Sequence, residues 1–121
     1  MKSDLLARLR LVASALEDKK AYHVLALDVS ERTSIAEAFV ICSVGSQRQA
    51  QAVADEVDRA LVANGVRALA VEGYAQGGWI LLDYWDFLLH IFLEERREFY
   101  ALERLWGDAP EITALVRASG R

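Results

Sequence analysis

Apolar residues recur three and four apart from the start of the chain, at Leu5, Leu6, Leu9, Val12, Ala13 and Leu16. Residues at that spacing share one helix face. The pattern predicts a helix over 4–19, with Ser3 as N-cap and Lys19 and Lys20 at the negative end of its dipole. The period then changes. Residues 23–29 are rich in Val and Leu and predict a strand, and 30–37 are polar and predict a loop. Residues 39–44 form an almost continuous apolar run, which suits a strand covered on both faces.

Gly45 ends that strand, and Ser46-Gln47-Arg48-Gln49 has the form of a capping box, serine with glutamine three residues on. The helix it opens carries Ala50, Val53, Ala54, Val57, Ala60 and Leu61 on one face. Asn64-Gly65 stops it, because glycine tolerates the left-handed conformation that follows a helix end. Residues 69–71 predict a third strand and 73–78 a loop with three glycines. Strands over 79–83 and 87–93 flank a tight turn at Tyr84-Trp85-Asp86. A charged helix over 94–106 turns Phe99, Leu102, Leu105 and Trp106 inward and closes at Gly107 and Pro110, and 113–118 suggest a short terminal helix. Strands on either side of a helix need a parallel crossover, whereas the late hairpin is antiparallel. The expected fold is α/β, a mixed five-stranded sheet with helices packed on its faces.

Composition narrows the function. The 121 residues are 54% hydrophobic, enough for one core without staples. The net charge of -4 argues against nucleic acid, DNA included, as the main partner and favours a basic protein surface. Cys42 stands alone, so no internal disulfide forms and a reducing compartment is expected. No apolar run approaches the roughly 20 residues needed to cross a bilayer, and the first residues carry no signal-peptide block. These features predict a soluble, cytoplasmic chain with no membrane partner.

Chemistry is sparse. His23 and His90 lie in strands without a second ligand nearby and read as structural, and Cys42 reads as core. No cofactor or metal is expected. Gly45-Ser46 reads as a helix cap, although such a pair also cradles phosphates and opens nucleotidyltransferase sites. Those sites hold metal on paired acids of a following strand; here Asp28 stands alone, and Asp83 and Asp86 flank a turn. Glu94, Glu95, Arg96, Arg97 and Glu98 read as a solvated helix start. Trp79 differs. Alternation puts Trp79, Leu81 and Asp83 on one face of their strand and Ile80, Leu82 and Tyr84 on the other. Both faces hold large apolar groups, so either helices cover both or one meets a partner.

Three blocks carry a family resemblance. The first is Leu27-Asp28-Val29, Ala38-Phe39-Val40-Ile41 and Gly45-Ser46-x-Arg48-Gln49. The second is Glu72-Gly73, Trp79-Ile80-Leu81-Leu82-Asp83-Tyr84 and His90-Ile91-Phe92. The third is Arg97-x-x-Tyr100-x-Leu102-Glu103-x-Leu105-Trp106. In this order and spacing the chain resembles the ribosomal silencing factor family, RsfS or Iojap-like, with 1–110 as the family domain and 111–121 as a C-terminal tail. The resemblance implies a nucleotidyltransferase-like fold lacking catalytic acids. It also implies a non-enzymatic factor that binds the large ribosomal subunit through protein fourteen of that subunit. Such a factor blocks joining of the small subunit, represses translation when nutrients fall, and is a homodimer when free. Carried over, partner binding falls on Trp79, Ile80, Leu81, Leu82, Asp83 and Tyr84, with Glu72, Gly73, Trp85, His90, Phe92, Arg97 and Tyr100 in support. Two positions depart from the family: Glu37 stands in place of Asp, and Trp85 in place of a turn Gly. The alternatives are a metal-dependent nucleotidyltransferase-like enzyme and a homodimeric scaffold without a ribosomal role.

Overall fold

The first helix, α1, spans Ser3–Asp18 and buries Leu5, Leu9, Val12, Ala15 and Leu16 along one stripe. This computed structural model describes residues 2–100, 104, 106 and 108–117. Lys2, not Ser3, occupies the N-cap of α1 and makes no side-chain cap bond, so the expected cap is corrected: Ser3 lies inside the first turn. At the other end Lys20 adopts φ +63, the Lys20 N–H bonds Glu17 O at 3.0 Å and the Ala21 N–H bonds Leu16 O at 2.9 Å. That is the glycine-type helix stop performed by a lysine.

Strand β1, Tyr22–Asp28, pairs antiparallel with β2, Ala38–Val44, in which every residue is buried. Helix α2, Gln47–Val62, follows. Ser46 Oγ accepts the Gln49 N–H at 3.0 Å, while Gln49 Oε1 accepts the Gly45 N–H at 2.7 Å. Gly65, at φ +79, ends the helix; the N–H groups of Gly65 and Val66 bond Val62 O and Leu61 O. Strands β3, Ala70–Glu72, β4, Trp79–Asp83, and β5, Phe87–Leu93, complete the sheet. Helix α3 is described over Glu94–Tyr100, and α4 spans Thr113–Arg117. Leu102, Leu105 and Gly107, expected in the charged helix and its close, and Ala118, expected in the terminal helix, lie outside the described residues.

The sheet order is β1-β2-β5-β4-β3. Only β2 and β5 run parallel, in register from Ala38–Phe87 to Val44–Leu93. The mixed five-stranded sheet expected from the sequence is therefore present. Its first face packs Ala26, Val40, Cys42, Ile80, Leu82, Phe87, Leu89 and Ile91 against α1, α2 and Val116 of α4. Its second face carries Leu27, Phe39, Ile41, Leu88 and Phe92, with Trp79, Leu81 and Trp106 half-buried against them.

Residues 110–113 also join the fold. Asp28 N–H bonds Pro110 O at 2.9 Å, Ile112 N–H bonds Ala26 O at 2.8 Å, and Leu27 bridges Glu111. These contacts cover the outer edge of β1 from Ala26 to Asp28, and Val116 of α4 packs into the core of the first face. Among the described residues no helix is long and apolar enough to cross a membrane.

Candidate functional site

Strand alternation decides which residues of β4 can meet a partner. Ile80, Leu82 and Tyr84 are buried at 0%, 1% and 2% exposure against the helices. Their side chains do not reach the surface, which narrows the expected contact set to Trp79, Leu81 and Asp83 on the second face. Tyr84 stacks on Phe87 with ring centroids 5.0 Å apart, and burial pushes its hydroxyl pKa upward.

The second face is aromatic around Trp79. The β4–β5 register sets Trp79 opposite Phe92 and Leu81 opposite His90. The Trp79 ring lies 5.0 Å from Phe92 and 5.9 Å from His90, and Trp79 Nε1–H donates to His90 Nδ1 at 3.2 Å. Phe39 meets His90 and Trp106 edge-on, each at 5.3 Å. A neutral imidazole accepts at one nitrogen and carries its proton on the other, so the indole bond places the His90 proton on Nε2. That Nε2 is buried without a hydrogen-bond partner, and burial pushes the imidazole pKa down to about 4. His90 thus stays neutral and fixes the tilt of Trp79 from beneath. Phe92, fully buried, is scaffold for the same ring.

Trp79 is held in sequence as well as from below. The loop at 73–78 is latched to α2: Gln47 Nε2 donates to Ala75 O at 2.5 Å, Gln51 Nε2 donates to Tyr74 O at 2.9 Å, and Tyr74 Oη donates to Asp55 at 3.0 Å. Residues 47, 51 and 55 are four apart and share one helix stripe. Sequence reasoning missed this role, though a polar stripe beside the apolar one was there to be read. Gly73 has φ +79, and a Cβ there would meet Trp79 O at 2.2 Å, so the chain turns into β4 only with glycine. Glu72 is exposed and pairs with Leu81 across β3–β4, which puts it on the face of Trp79 beside Asp83.

Arg97 overturns the expectation of a solvated helix start. It is 9% exposed, and its guanidinium donates to Ser43 Oγ at 2.8 Å and to His23 O. Ser43 Oγ donates to Glu94 Oε1 at 2.8 Å, and His23 Nδ1 lies 2.5 Å from Glu94 Oε2. This polar knot ties α3 to β1 and β2. His23 itself is exposed, at φ +50 where β1 slips register, and its part in this knot is structural. Glu95 and Arg96 are exposed as expected. The side chain of Tyr100 lies outside the described residues.

Two further positions complete the picture. Asp83 Oδ1 accepts the Trp85 N–H at 2.9 Å, so this carboxylate also makes the turn. Trp85 has φ +73 and is 69% exposed; a side chain in that region costs about 1–2 kcal/mol. At the opposite end of the sheet, a cleft of about 340 Å³ in front of Gly45 is lined by Tyr22, Val44, Leu93, Glu94 and Glu95. Two carboxylates in its lining disfavour an anion in this cleft, and the Glu94 oxygens are taken up by Ser43 and His23. Among the described residues no three His, Cys, Asp or Glu side chains gather where they could hold a metal ion.

The family model described as ribosomal silencing factor during starvation matches residues 2–120. The chain belongs to that family. It is 40% identical over 104 residues to the ribosomal silencing factor RsfS of Halalkalibacterium halodurans, covering 86% of this chain and 89% of that relative. It is 39% identical over 102 residues to the RsfS of Bacillus subtilis, covering 84% and 86%. The chloroplastic protein Iojap of Zea mays is 30% identical over 101 residues, 84% of this chain and 44% of that longer protein. A crystal structure from Chromobacterium violaceum superposes with a TM-score of 0.81 at 34% identity, covering 88% of each chain.

Proposed function

We propose that the chain binds the large ribosomal subunit through protein fourteen of that subunit and occupies the face where the small subunit joins. A 13.5 kDa body parked there excludes the small subunit by bulk, so translation falls with occupancy and no chemistry is needed. Repression of this kind suits nutrient limitation, acts in the cytoplasm, and leaves the free protein as a homodimer.

The observation that best supports this reading is the half-buried aromatic face of β4. Trp79 is pre-set by His90 and Phe92, Leu81 extends the apolar surface, and Glu72 and Asp83 flank it with carboxylates. Rigid aromatic anchors supply affinity at interfaces, and an acidic rim steers a basic partner and sets register. Membership of the ribosomal silencing factor family supplies the ribosomal context.

The test is co-sedimentation of the purified chain with large subunits, followed by the fraction of joined ribosomes. The wild type is expected to travel with the large subunit and to deplete joined ribosomes. Trp79→Ala is expected to weaken binding by about 2–4 kcal/mol. Its fold is checked by thermal unfolding in parallel, because Trp79 also packs on Phe92. A folded Trp79→Ala variant that binds large subunits normally would sink the site assignment.

A further inference from the structure

We propose that Trp85 is a second docking anchor, received by an apolar pocket rimmed with Lys and Arg on a basic partner protein. This deepens the reading above and rests on it. Trp85 is the most exposed large apolar residue among those described, at 69%. Its backbone sits at φ +73, where glycine or asparagine would sit with less strain. Among the described residues nothing compensates: no hydrogen bond of the indole and no ring contact involves this side chain. A large aromatic group kept mostly exposed in a strained position, without an internal hydrogen bond or ring contact, points outward to a partner.

The turn that carries it is firm. Asp83 Oδ1 accepts the Trp85 N–H, Tyr84 N–H bonds Phe87 O at 3.0 Å, and Arg8 bonds the Asp86 carboxylate at 2.6 Å. The indole is therefore projected from a fixed base, which limits the ordering cost of binding.

Its surroundings choose the partner. The Asp86 carbonyl accepts the Glu37 N–H at 2.9 Å, which brings the segment holding Ile35, itself 67% exposed, to the same end of the sheet. The charges near that end are Asp28, Glu31, Glu37, Asp83 and Asp86 against Lys2, Arg8 and Arg32; Lys2 shares a cleft with Asp28 and Glu37, Arg8 pairs with Asp86, and Arg32 lies 3.6 Å from Asp108. The surplus is acidic. A second copy of this chain would bring like charge to like, whereas a basic protein surface complements it. Trp85 lies six residues beyond Trp79, roughly 20 Å along the strand direction, so one interface of ordinary size reaches both.

The experiment titrates purified large subunits with the wild type, Trp85→Gly, Trp85→Asn and Trp85→Phe, and records thermal unfolding and free-state mass for each. Gly and Asn fit the left-handed turn, so both variants should fold with a melting temperature at or above wild type. They should bind large subunits about tenfold more weakly, and Trp85→Phe should recover most of the loss. Wild-type affinity in a folded Trp85→Gly variant overturns this proposal and leaves the Trp79 reading standing. Failure of the wild type itself to bind large subunits overturns both. Conversion of a free dimer to monomer by Trp85→Gly, with subunit binding unchanged, makes a second copy the occupant and overturns it too.

Discussion

The buried imidazole of His90 makes stability depend on pH in a calculable way. In the unfolded chain its pKa is near 6.5; in the native state burial holds it at about 4. The unfolded state therefore takes up the proton first. The neutral form favours folding in full above pH 6.5, and that contribution is lost as pH falls towards 4. Between about pH 7 and about pH 4.5 the two pKa values imply a loss of about 2–3 kcal/mol. Carboxylates titrate over the same range, so the change has to be read against a variant. His90→Gln removes the titration and keeps a carbonyl oxygen that can accept the Trp79 indole N–H. Urea unfolding of wild type and His90→Gln at the two pH values gives the difference directly. The wild type should lose about 2–3 kcal/mol more than the variant on acidification. Equal losses in both would refute the claim that His90 is held neutral by burial.

Three other outcomes are expected. Gly73→Ala should cost about 3 kcal/mol or more, because its Cβ meets Trp79 O at 2.2 Å as well as requiring φ +79; Gly65→Ala, at the same φ but facing open space, should cost about 1 kcal/mol by urea unfolding. Arg97→Met should destabilise by about 2–4 kcal/mol, since His23 O and Ser43 Oγ lose a buried charged donor; calorimetric unfolding measures it. The Cys42 thiol, pushed up to about 12 by burial, should resist iodoacetamide in the folded chain and react only as the fold opens, which mass spectrometry follows in time.

What could be read from the chain depended on how local the cause was. Ser46 with Gln49 and Asn64-Gly65 marked both ends of α2 because caps are written within four residues. The alternation from Trp79 to Asp83 was equally local, and it sorted the two faces of β4 correctly. Ser3 misled because serine competes for a cap it does not hold when the helix begins one residue sooner. Arg97 misled for a different reason. A charge run looks solvated until a distant strand brings Ser43 beneath it, and that contact spans 54 residues of sequence. The pairing of Trp79 with His90 lay between these cases. The hairpin was visible, but the register that joins the two rings depends on the turn geometry set by Asp83 and the positive φ of Trp85.

The parallel pairing of β2 with β5 bears on how the chain is made. Every other neighbouring pair joins strands consecutive in sequence, whereas Ala38 must wait for Phe87. Closing so long a loop comes before the contacts that reward it, so this seam forms late in folding. During synthesis β2 emerges with its apolar side chains and one open hydrogen-bonding edge, and α2 can cover one face but not that edge. An open apolar edge templates pairing with another chain. A nascent chain that has delivered α2 but not β5 is therefore the form of this protein most prone to aggregate with its own copies.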